Sequence, residues 1–297
     1  MKLTHNRAVF LMLAVTLMWS TAGVVTRHLE QARSFEVTFW RSFFTVLSLL
    51  VILPISQGRD VFARMRHAGS ALWLSGMCWA GMFTFFMVAL TLTTVANVLV
   101  SLALVPLFTA LAARFFIGHR IPLRTWIAIV VAGCGIVYMF GMQLLNGISF
   151  TGTLVALCVP ISGAANWTIS QHSHAQGQDV DLIPAVLIGG VISSLVTLPL
   201  AWPLQASAHD LGLLFGLGLV QLAIPCVLAV LCTRVLKAPE VALLGMLEVI
   251  FGILLAWVGA GEVPTQDVLL GGTLVIGALV ANEIVGWRCR ALPAPGK

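Results

Sequence analysis

Charged residues are scarce in this 297-residue chain: Asp, Glu, Lys and Arg together make up 9% of it, whereas hydrophobic residues make up 59%. Soluble globular domains carry about 25% charged residues. This deficit excludes a water-soluble domain of this size and indicates that lipid surrounds most of the chain.

The sequence also lacks the motifs that enzymes use for covalent chemistry. It contains no His-Glu-x-x-His, no Gly-x-Ser-x-Gly and no phosphate-binding Gly-Lys-Ser/Thr loop. The six cysteines have neither metal nor disulfide spacing, and the pair His172 and His174 has no further metal ligands nearby in the sequence. We therefore expect no enzyme activity, no metal and no cofactor.

What the chain has in abundance is long apolar runs. Windows of about 20 apolar residues are long enough to cross a bilayer as helices. Ten such windows are found, at residues 8–27, 35–54, 70–91, 95–116, 123–141, 151–171, 181–203, 210–232, 240–260 and 267–287. With ten spans, both termini lie on the same side of the membrane.

Basic residues are distributed unevenly between the two sides that these spans define. The side opposite the termini has only Arg27 and Arg33, and Arg41 falls within the second span. The side of the termini carries Lys2, Arg7, Arg59, Arg64, Arg66, Arg114, Arg120, Arg124, Arg234, Lys237, Arg288, Arg290 and Lys297. By the positive-inside rule we expect both termini in the cytoplasm and the protein in the inner membrane. The net charge of +5 thus indicates topology, and we expect no nucleic-acid partner.

The chain contains an internal repeat. The stretch 97–122 returns in altered form as 239–264, so that Pro122 matches Pro264 and Ala110 matches Gly252. The predicted units are residues 1–145 and 146–297, with five helices each. Because five is odd, the units must cross the membrane in opposite senses. We therefore predict an all-α membrane protein with ten transmembrane helices, formed by two inverted five-helix repeats around a central cavity that holds the substrate site.

Two regions resemble a known family. The run from Val88 to Arg120 is similar to the third and fourth helices of an EamA domain, the five-helix unit of the drug/metabolite transporter superfamily. The segments 17–23 (LMWSTAG) and 38–41 (TFWR) resemble the aromatic amino-acid exporters within that superfamily. The resemblance implies a ten-helix transporter that works by alternating access, with amino acids as substrates and the lipid bilayer as its surroundings. We expect it to act as a monomer.

The chain departs from the family pattern at three places. Gly118 is followed by His119 where Glu is usual, and Glu248 is followed by Val249 where Pro is usual. The first span has no acid, although the small multidrug relatives use one there for proton coupling. We therefore expect facilitated diffusion. Proton-coupled export of drugs or other metabolites is the alternative, and a passive channel or a membrane-embedded enzyme is disfavoured.

Glu248 is the acid near the middle of a span, and Arg41 lies about two turns inside the second span. A charged side chain at the centre of a span costs about 2.5–3.5 kcal/mol or more on insertion scales. Glu248 is either a proton or charge site facing a substrate amine, or a hydrogen-bonded structural residue. For Arg41 we expect its long side chain to reach towards the interface or a helix terminus in preference to binding a substrate carboxylate.

Polar and aromatic side chains within spans are the candidate substrate-binding residues. The polar ones are Asn97, Ser101, Asn166 and Gln221, and each could line a cavity or make interhelical hydrogen bonds. The apolar ones are Trp19, Trp79, Phe83, Phe86, Trp167 and Met246, and each could line a pocket or pack in the core. Such a pocket has little fixed charge, which suits small amphipathic solutes such as neutral and aromatic amino acids.

Overall fold

The computed structural model describes residues 4–112, 114–115, 122–145, 150–175, 182–233, 235–236 and 244–291. All regular elements within these ranges are helical. In chain order they are α1 (His5–Thr26), α2 (Ser34–Gln57), α3 (Val61–His67), α4 (Ser70–Leu92), α5 (Val95–Leu102), α6 (Val105–Ala112), α7 (Leu123–Leu145), α8 (Phe150–Ala175), α9 (Ile183–Ala201), α10 (Ala208–Gly216), a π-helical segment (Leu217–Ala223), α11 (Ile224–Thr233), α12 (Leu247–Ala260) and α13 (Gln266–Ala291).

Eight of the described helical stretches are long and apolar enough to cross a membrane. They coincide with eight of the ten predicted windows. The other two windows contain the shorter apolar helices Leu123–Met139 and Leu247–Ala260. The start of the ninth window and the Gly118-His119 turn lie outside the described residues. The predicted all-α membrane protein is thus confirmed, with eight candidate spans and two shorter apolar helices.

The fourth span is not the single helix that the sequence suggested. α5 ends at Leu102, a turn covers Ala103 and Leu104, and α6 begins at Val105. Pro106 accounts for the break, because its ring has no N–H to donate and clashes with the carbonyl four residues earlier, that of Leu102. The Thr94 side chain caps the start of α5 by accepting the backbone N–H of Asn97.

The eighth span widens into a π-helical segment between α10 and α11. Pro225 follows this segment and cannot donate a hydrogen bond to the carbonyl of Gln221, which favours the wider turn. Within the segment Gly218 packs against the backbone of α2, where a Cβ atom would lie 2.8 Å from the nitrogen of Thr45. This contact holds the π-helical segment, and with it Gln221, beside α2.

The first and second parts of the chain interdigitate. α4 packs along α8 and α9, α2 along α9 and the π-helical segment, α1 along α12 and α11, and α7 along α13. The backbones of α7 and α13 touch, since a Cβ atom on Gly135 would lie 2.8 Å from the carbonyl oxygen of Gly271. Small residues allow this approach, which in lipid adds the van der Waals contact that holds helices together.

Candidate functional site

The guanidinium of Arg41 is buried at the centre of the bundle. Arg41 belongs to α2 and is 2% exposed. Its Nε and Nη2 both donate to Oε1 of Gln221, at 3.1 and 2.7 Å. The Nε2 of Gln221 in turn donates to the backbone oxygen of Trp19, at 3.2 Å. One amide therefore connects α2, α1 and the π-helical segment.

Two aromatic rings of α4 lie beside this guanidinium. Its Cζ is 5.7 Å from the ring centroid of Phe83 and 5.9 Å from that of Phe86, both within the range of cation–π attraction. The ring of Trp79 packs against Phe83 with the centroids 5.5 Å apart. α4 thus contributes an apolar aromatic wall to a charged centre.

The acid that faces this centre is Glu248, in the first turn of α12. Its carboxyl group and the Arg41 guanidinium interact electrostatically. Glu248 is half-buried whereas Arg41 is buried, so the acid lies on the more accessible side. We call Arg41, Gln221, Trp19, Phe83, Phe86 and Glu248 the Arg41 cluster.

One donor of Arg41 is unused. Nη1 is buried and has no hydrogen-bond partner among the residues that the structure describes. Leaving a buried donor unpaired costs about 1–3 kcal/mol, and more for a charged group. The expectation that Arg41 reaches towards the interface is therefore wrong. The side chain stays at the centre because Gln221 and the two phenylalanine rings engage it there.

The structure brings together several residues that the sequence singled out. Trp19, Phe83, Phe86, Gln221 and Glu248 all belong to the Arg41 cluster, and Trp79 touches it through Phe83. Arg41 is the member for which the sequence analysis favoured a place near the interface over a place in the substrate site. The available signal was its position two turns inside a span, where a basic residue needs a specific partner.

The predicted amides Asn97 and Asn166 make hydrogen bonds inside the bundle. Asn97 is buried and its Nδ2 donates to Oγ1 of Thr93 at 2.9 Å. Ser101 donates to the carbonyl of Asn97 at 2.8 Å. Asn166 accepts the hydroxyl of Ser75 at 2.6 Å, which connects α8 to α4. The first two bonds are local to α5 and its start, and the third stabilises the packing of α8 on α4. A role of these residues in substrate binding stays a prediction.

Trp167 and Met246 are more accessible than the cluster. Trp167 is 48% exposed, although Pro160 and Gly163, seven and four residues earlier on the same face of α8, are buried. Met246 is half-buried next to the start of α12 and packs against the main hydrophobic core. That Trp167 and Met246 contact the substrate stays a prediction.

A network around Arg27 closes one end of the bundle, here called the sealed end. Nε of Arg27 donates to Oε2 of Glu262 at 2.6 Å, and its Nη1 and Nη2 donate to the carbonyls of Leu90 and Thr93, at 2.6 and 2.8 Å. The other oxygen of Glu262 accepts the backbone N–H of Val95 at 2.6 Å. These bonds tie the end of α1 to the α4–α5 turn and to the segment after α12.

Two further acids fasten connectors at the sealed end. Asp210, at the start of α10, accepts the backbone N–H groups of Glu30, Gln31 and Ala32, each at 2.9 Å. Glu36, at the start of α2, accepts those of Gln205 and Ala206, at 2.8 and 2.7 Å. Asp210 thus binds the connector that precedes α2, the helix of Glu36. Glu36 binds the connector that precedes α10, the helix of Asp210. Both carboxylates also lie at helix N-termini, where negative charge is favourable.

The surface cavities at this end are not the candidate site. A cavity of about 260 Å³ is lined by residues that include Arg33, Glu36 and Gln205, and a wider one by residues 30–33 and Gln205. Glu36 is already engaged by two backbone N–H groups. Neither cavity reaches Arg41, whose unused donor and mixed surroundings make its cluster the better candidate. Among the described residues no group of three His, Cys, Asp or Glu side chains could hold a metal ion.

Known proteins resemble this chain over most of its length. Residues 6–141 match the EamA-like transporter family. The chain is 26% identical to an S-adenosylmethionine uptake transporter of Rickettsia conorii over 263 residues, 86% of this chain and 85% of the relative. It is 25% identical to an uncharacterised transporter of Archaeoglobus fulgidus over 282 residues, 90% and 92% of the two chains.

A solved crystal structure has the same fold. It matches with a TM-score of 0.60 at 17% identity and covers 96% of this chain and all of that one. The matching family and the relatives are transporters, not enzymes. Together with the apolar helices, these matches support a multi-pass membrane transporter, and the match to the EamA-like transporter family lies in the first part of the chain.

Proposed function

We propose that the protein transports neutral and aromatic amino acids, and related small metabolites, out of the cell by alternating access. The Arg41 cluster carries this proposal. A neutral amino acid has a carboxylate, an ammonium group and a side chain, and the cluster offers a cation, an acid and aromatic rings at the centre of an apolar bundle. The remaining lining residues proposed from the sequence are Trp79, Asn97, Ser101, Asn166, Trp167 and Met246.

The helix contacts support two inverted repeats, residues 1–145 and 146–297. If α8 and α9 are the second copies of α1 and α2, and α11 and α12 those of α4 and α6, contacts between the halves should occur in matched pairs. α4 packs on α8 as α11 packs on α1, and α6 packs on α8 as α12 packs on α1. α2 packs on its own counterpart α9, and α7 on α13. A central twofold relation in the membrane plane accounts for these pairs.

The sealed end supports alternating access. The basic residues Arg59, Arg64 and Arg66 lie at the other end, and by the positive-inside rule they support a cytoplasmic location for that end and for both termini. The Arg27 network then closes the extracytoplasmic side of an inner-membrane protein. Opening requires the α4–α5 turn to separate from α1 and Glu262, and transport down a gradient needs no further coupling.

The second candidate is transport of S-adenosylmethionine, the substrate in the names of the Rickettsia relatives. This molecule is itself an amino acid, with a flat adenine ring and a sulfonium cation, so it presents the same groups to the cluster. Proton-coupled export of drugs or other metabolites is a third candidate, because Glu248 could carry a proton.

Reconstitution of the full chain into proteoliposomes separates these candidates. Labelled tryptophan, leucine and S-adenosylmethionine would be offered with and without a pH gradient, with protein-free liposomes as the control. We expect saturable uptake of tryptophan that the gradient does not change. Uptake of S-adenosylmethionine alone would select the second candidate, and uptake that follows the gradient would select the third.

Trp167 can be tested in the same assay. We expect Trp167→Ala to lower the rate of tryptophan uptake several-fold while leaving membrane insertion unchanged, because the proposal makes its indole a substrate contact. An unchanged rate would remove Trp167 from the transport path.

A further inference from the structure

We propose that Arg41 binds the carboxylate of the substrate through Nη1, and that Gln221 positions the guanidinium for it. This inference rests on the proposed function, since it assigns the group within the Arg41 cluster that selects amino acids. It also names the chemical class that the cluster accepts, which is zwitterions rather than simple anions or cations.

The hydrogen bonds of the guanidinium leave one side of it free. Nε and Nη2 converge on a single oxygen of Gln221, at 3.1 and 2.7 Å. A carboxamide oxygen is neutral, so this contact orients the guanidinium without neutralising it. Nη1 keeps its two N–H donors, with no acceptor among the described residues. A carboxylate oxygen is the acceptor that forms the strongest bond to such a donor, because both groups are charged.

Gln221 is itself fixed by its neighbours. Its Nε2 donates to the carbonyl of Trp19 at 3.2 Å, which orients the amide so that its oxygen faces Arg41. The π-helical segment that carries Gln221 is held against α2 by the Gly218 contact and by the Thr45 hydroxyl, which donates to the carbonyl of Gly218 at 3.2 Å. The direction of the free donor is therefore set by several contacts and not by Arg41 alone.

The cluster offers a partner for each charged group of an amino acid. The carboxylate meets the unpaired Nη1 of Arg41, and the ammonium group meets the carboxyl group of Glu248, which interacts electrostatically with Arg41. An amine without a carboxylate leaves Nη1 unpaired.

The same residues indicate the route to the site. Phe83 and Phe86 are 3% and 7% exposed and cover the guanidinium from α4. Glu248 and Met246 are half-buried, and the Arg27 network closes the opposite approach. A substrate therefore reaches Arg41 past the start of α12, with its ammonium group meeting Glu248 first.

Binding to the purified full-length protein in nanodiscs tests the inference. L-Tryptophan, L-tryptophanamide and tryptamine share the indole ring and the amine, and only the first has a carboxylate. We expect the wild type to bind tryptophan at least about tenfold more tightly than either analogue. Arg41→Gln should remove this preference, so that all three ligands bind equally weakly.

Two further variants keep the test decisive if Arg41→Gln does not fold. Gln221→Glu has nearly the same shape and gives Arg41 an internal carboxylate, so it should also remove the preference for tryptophan over its amide, and its melting temperature shows whether the variant is folded. Arg59→Gln makes the same substitution at an exposed arginine after α2, away from the cluster and from the sealed end, and should keep the preference of the wild type.

The outcomes separate this inference from the proposed function. If the wild type binds none of these ligands and no S-adenosylmethionine, the proposed function fails, and the inference fails with it. If the wild type binds tryptophan and its amide equally, or if Arg41→Gln and Gln221→Glu both keep the preference, only the carboxylate assignment is overturned.

Discussion

Neutralising Glu262 should increase the fraction of molecules in which the sealed end is open. In Glu262→Gln the carboxylate that receives both Arg27 Nε and the N–H of Val95, each at 2.6 Å, becomes a neutral amide with one acceptor. Charge-assisted bonds contribute about 1.5–3 kcal/mol when enclosed. The two side chains are 27% and 18% exposed, and water at such sites reduces the contribution to about 1–2 kcal/mol in total. The ratio of sealed to open molecules should therefore fall by a factor of about 5–30.

Spin labels across the seal can measure this ratio. Leu92 at the end of α4 and Val263 next to Glu262 are both exposed and flank the network, so a pair of labels there reports its separation. We expect one short distance in the otherwise unchanged protein and an added longer distance in Glu262→Gln.

The matched control for this experiment is Glu30→Gln. Glu30 lies at the same end, but its side chain is 63% exposed and 3.9 Å from His209, so its loss should leave the distances unchanged. The reasoning would be refuted if Glu262→Gln left the distance distribution as it was, or if Glu30→Gln changed it equally.

Three other predictions follow from single contacts. Asp210→Asn should lower the free energy of unfolding by about 1–3 kcal/mol, because one amide oxygen cannot accept three N–H groups. Asp267→Asn, whose carboxylate accepts the exposed Tyr138 hydroxyl at 3.3 Å, should change thermal unfolding little, and equal effects of the two variants would contradict this account. Gly135→Ala should cost about 1–3 kcal/mol, whereas Gly133→Ala, with no atom within 4 Å of its added Cβ, should be tolerated; a stable Gly135→Ala variant would rule out the tight α7–α13 crossing. Glu248→Gln should weaken amino-acid binding without creating or removing any dependence of transport on a pH gradient, and loss of such a dependence would instead make Glu248 a proton site.

Much of the fold could be predicted because lipid imposes a simple requirement on sequence. A span needs about 20 apolar residues, so windows of that composition coincide with the helices of the structure. Breaks in the helix within a span are harder to predict. Pro106 interrupts the helix of the fourth span, whereas Pro160 lies within the continuous α8. A proline leaves the backbone carbonyl four residues earlier without its helical hydrogen bond, and whether the helix continues depends on neighbouring groups that can donate to that carbonyl.

The candidate site was predictable only in part, since its key contacts join distant parts of the chain. Gln221 and Glu248 were identified as polar residues in spans, but their sequence positions do not reveal that both face Arg41. The general tendency of long basic side chains to reach the interface gave the wrong expectation for Arg41. That tendency fails where a buried partner is supplied from another helix, here by a residue 180 positions away.

The sealed end shows the same limitation. Arg27 ends the first predicted span and Glu262 follows the ninth, so a ten-span topology predicts both on one side of the membrane. That placement allows an ion pair between Arg27 and Glu262, but it does not favour this pair over other combinations of charged residues on that side. Folding α1 against α12 brings the two side chains together across 235 positions.

Counterflow of labelled tryptophan into proteoliposomes tests the central claim most directly. Vesicles loaded with unlabelled tryptophan and placed in a trace of labelled tryptophan should accumulate label transiently above its equilibrium level, since a carrier that alternates exchanges one molecule for another. Arg41→Gln should abolish the overshoot. Entry of label that rises linearly with concentration and shows no overshoot would contradict alternating-access transport of amino acids through the Arg41 cluster.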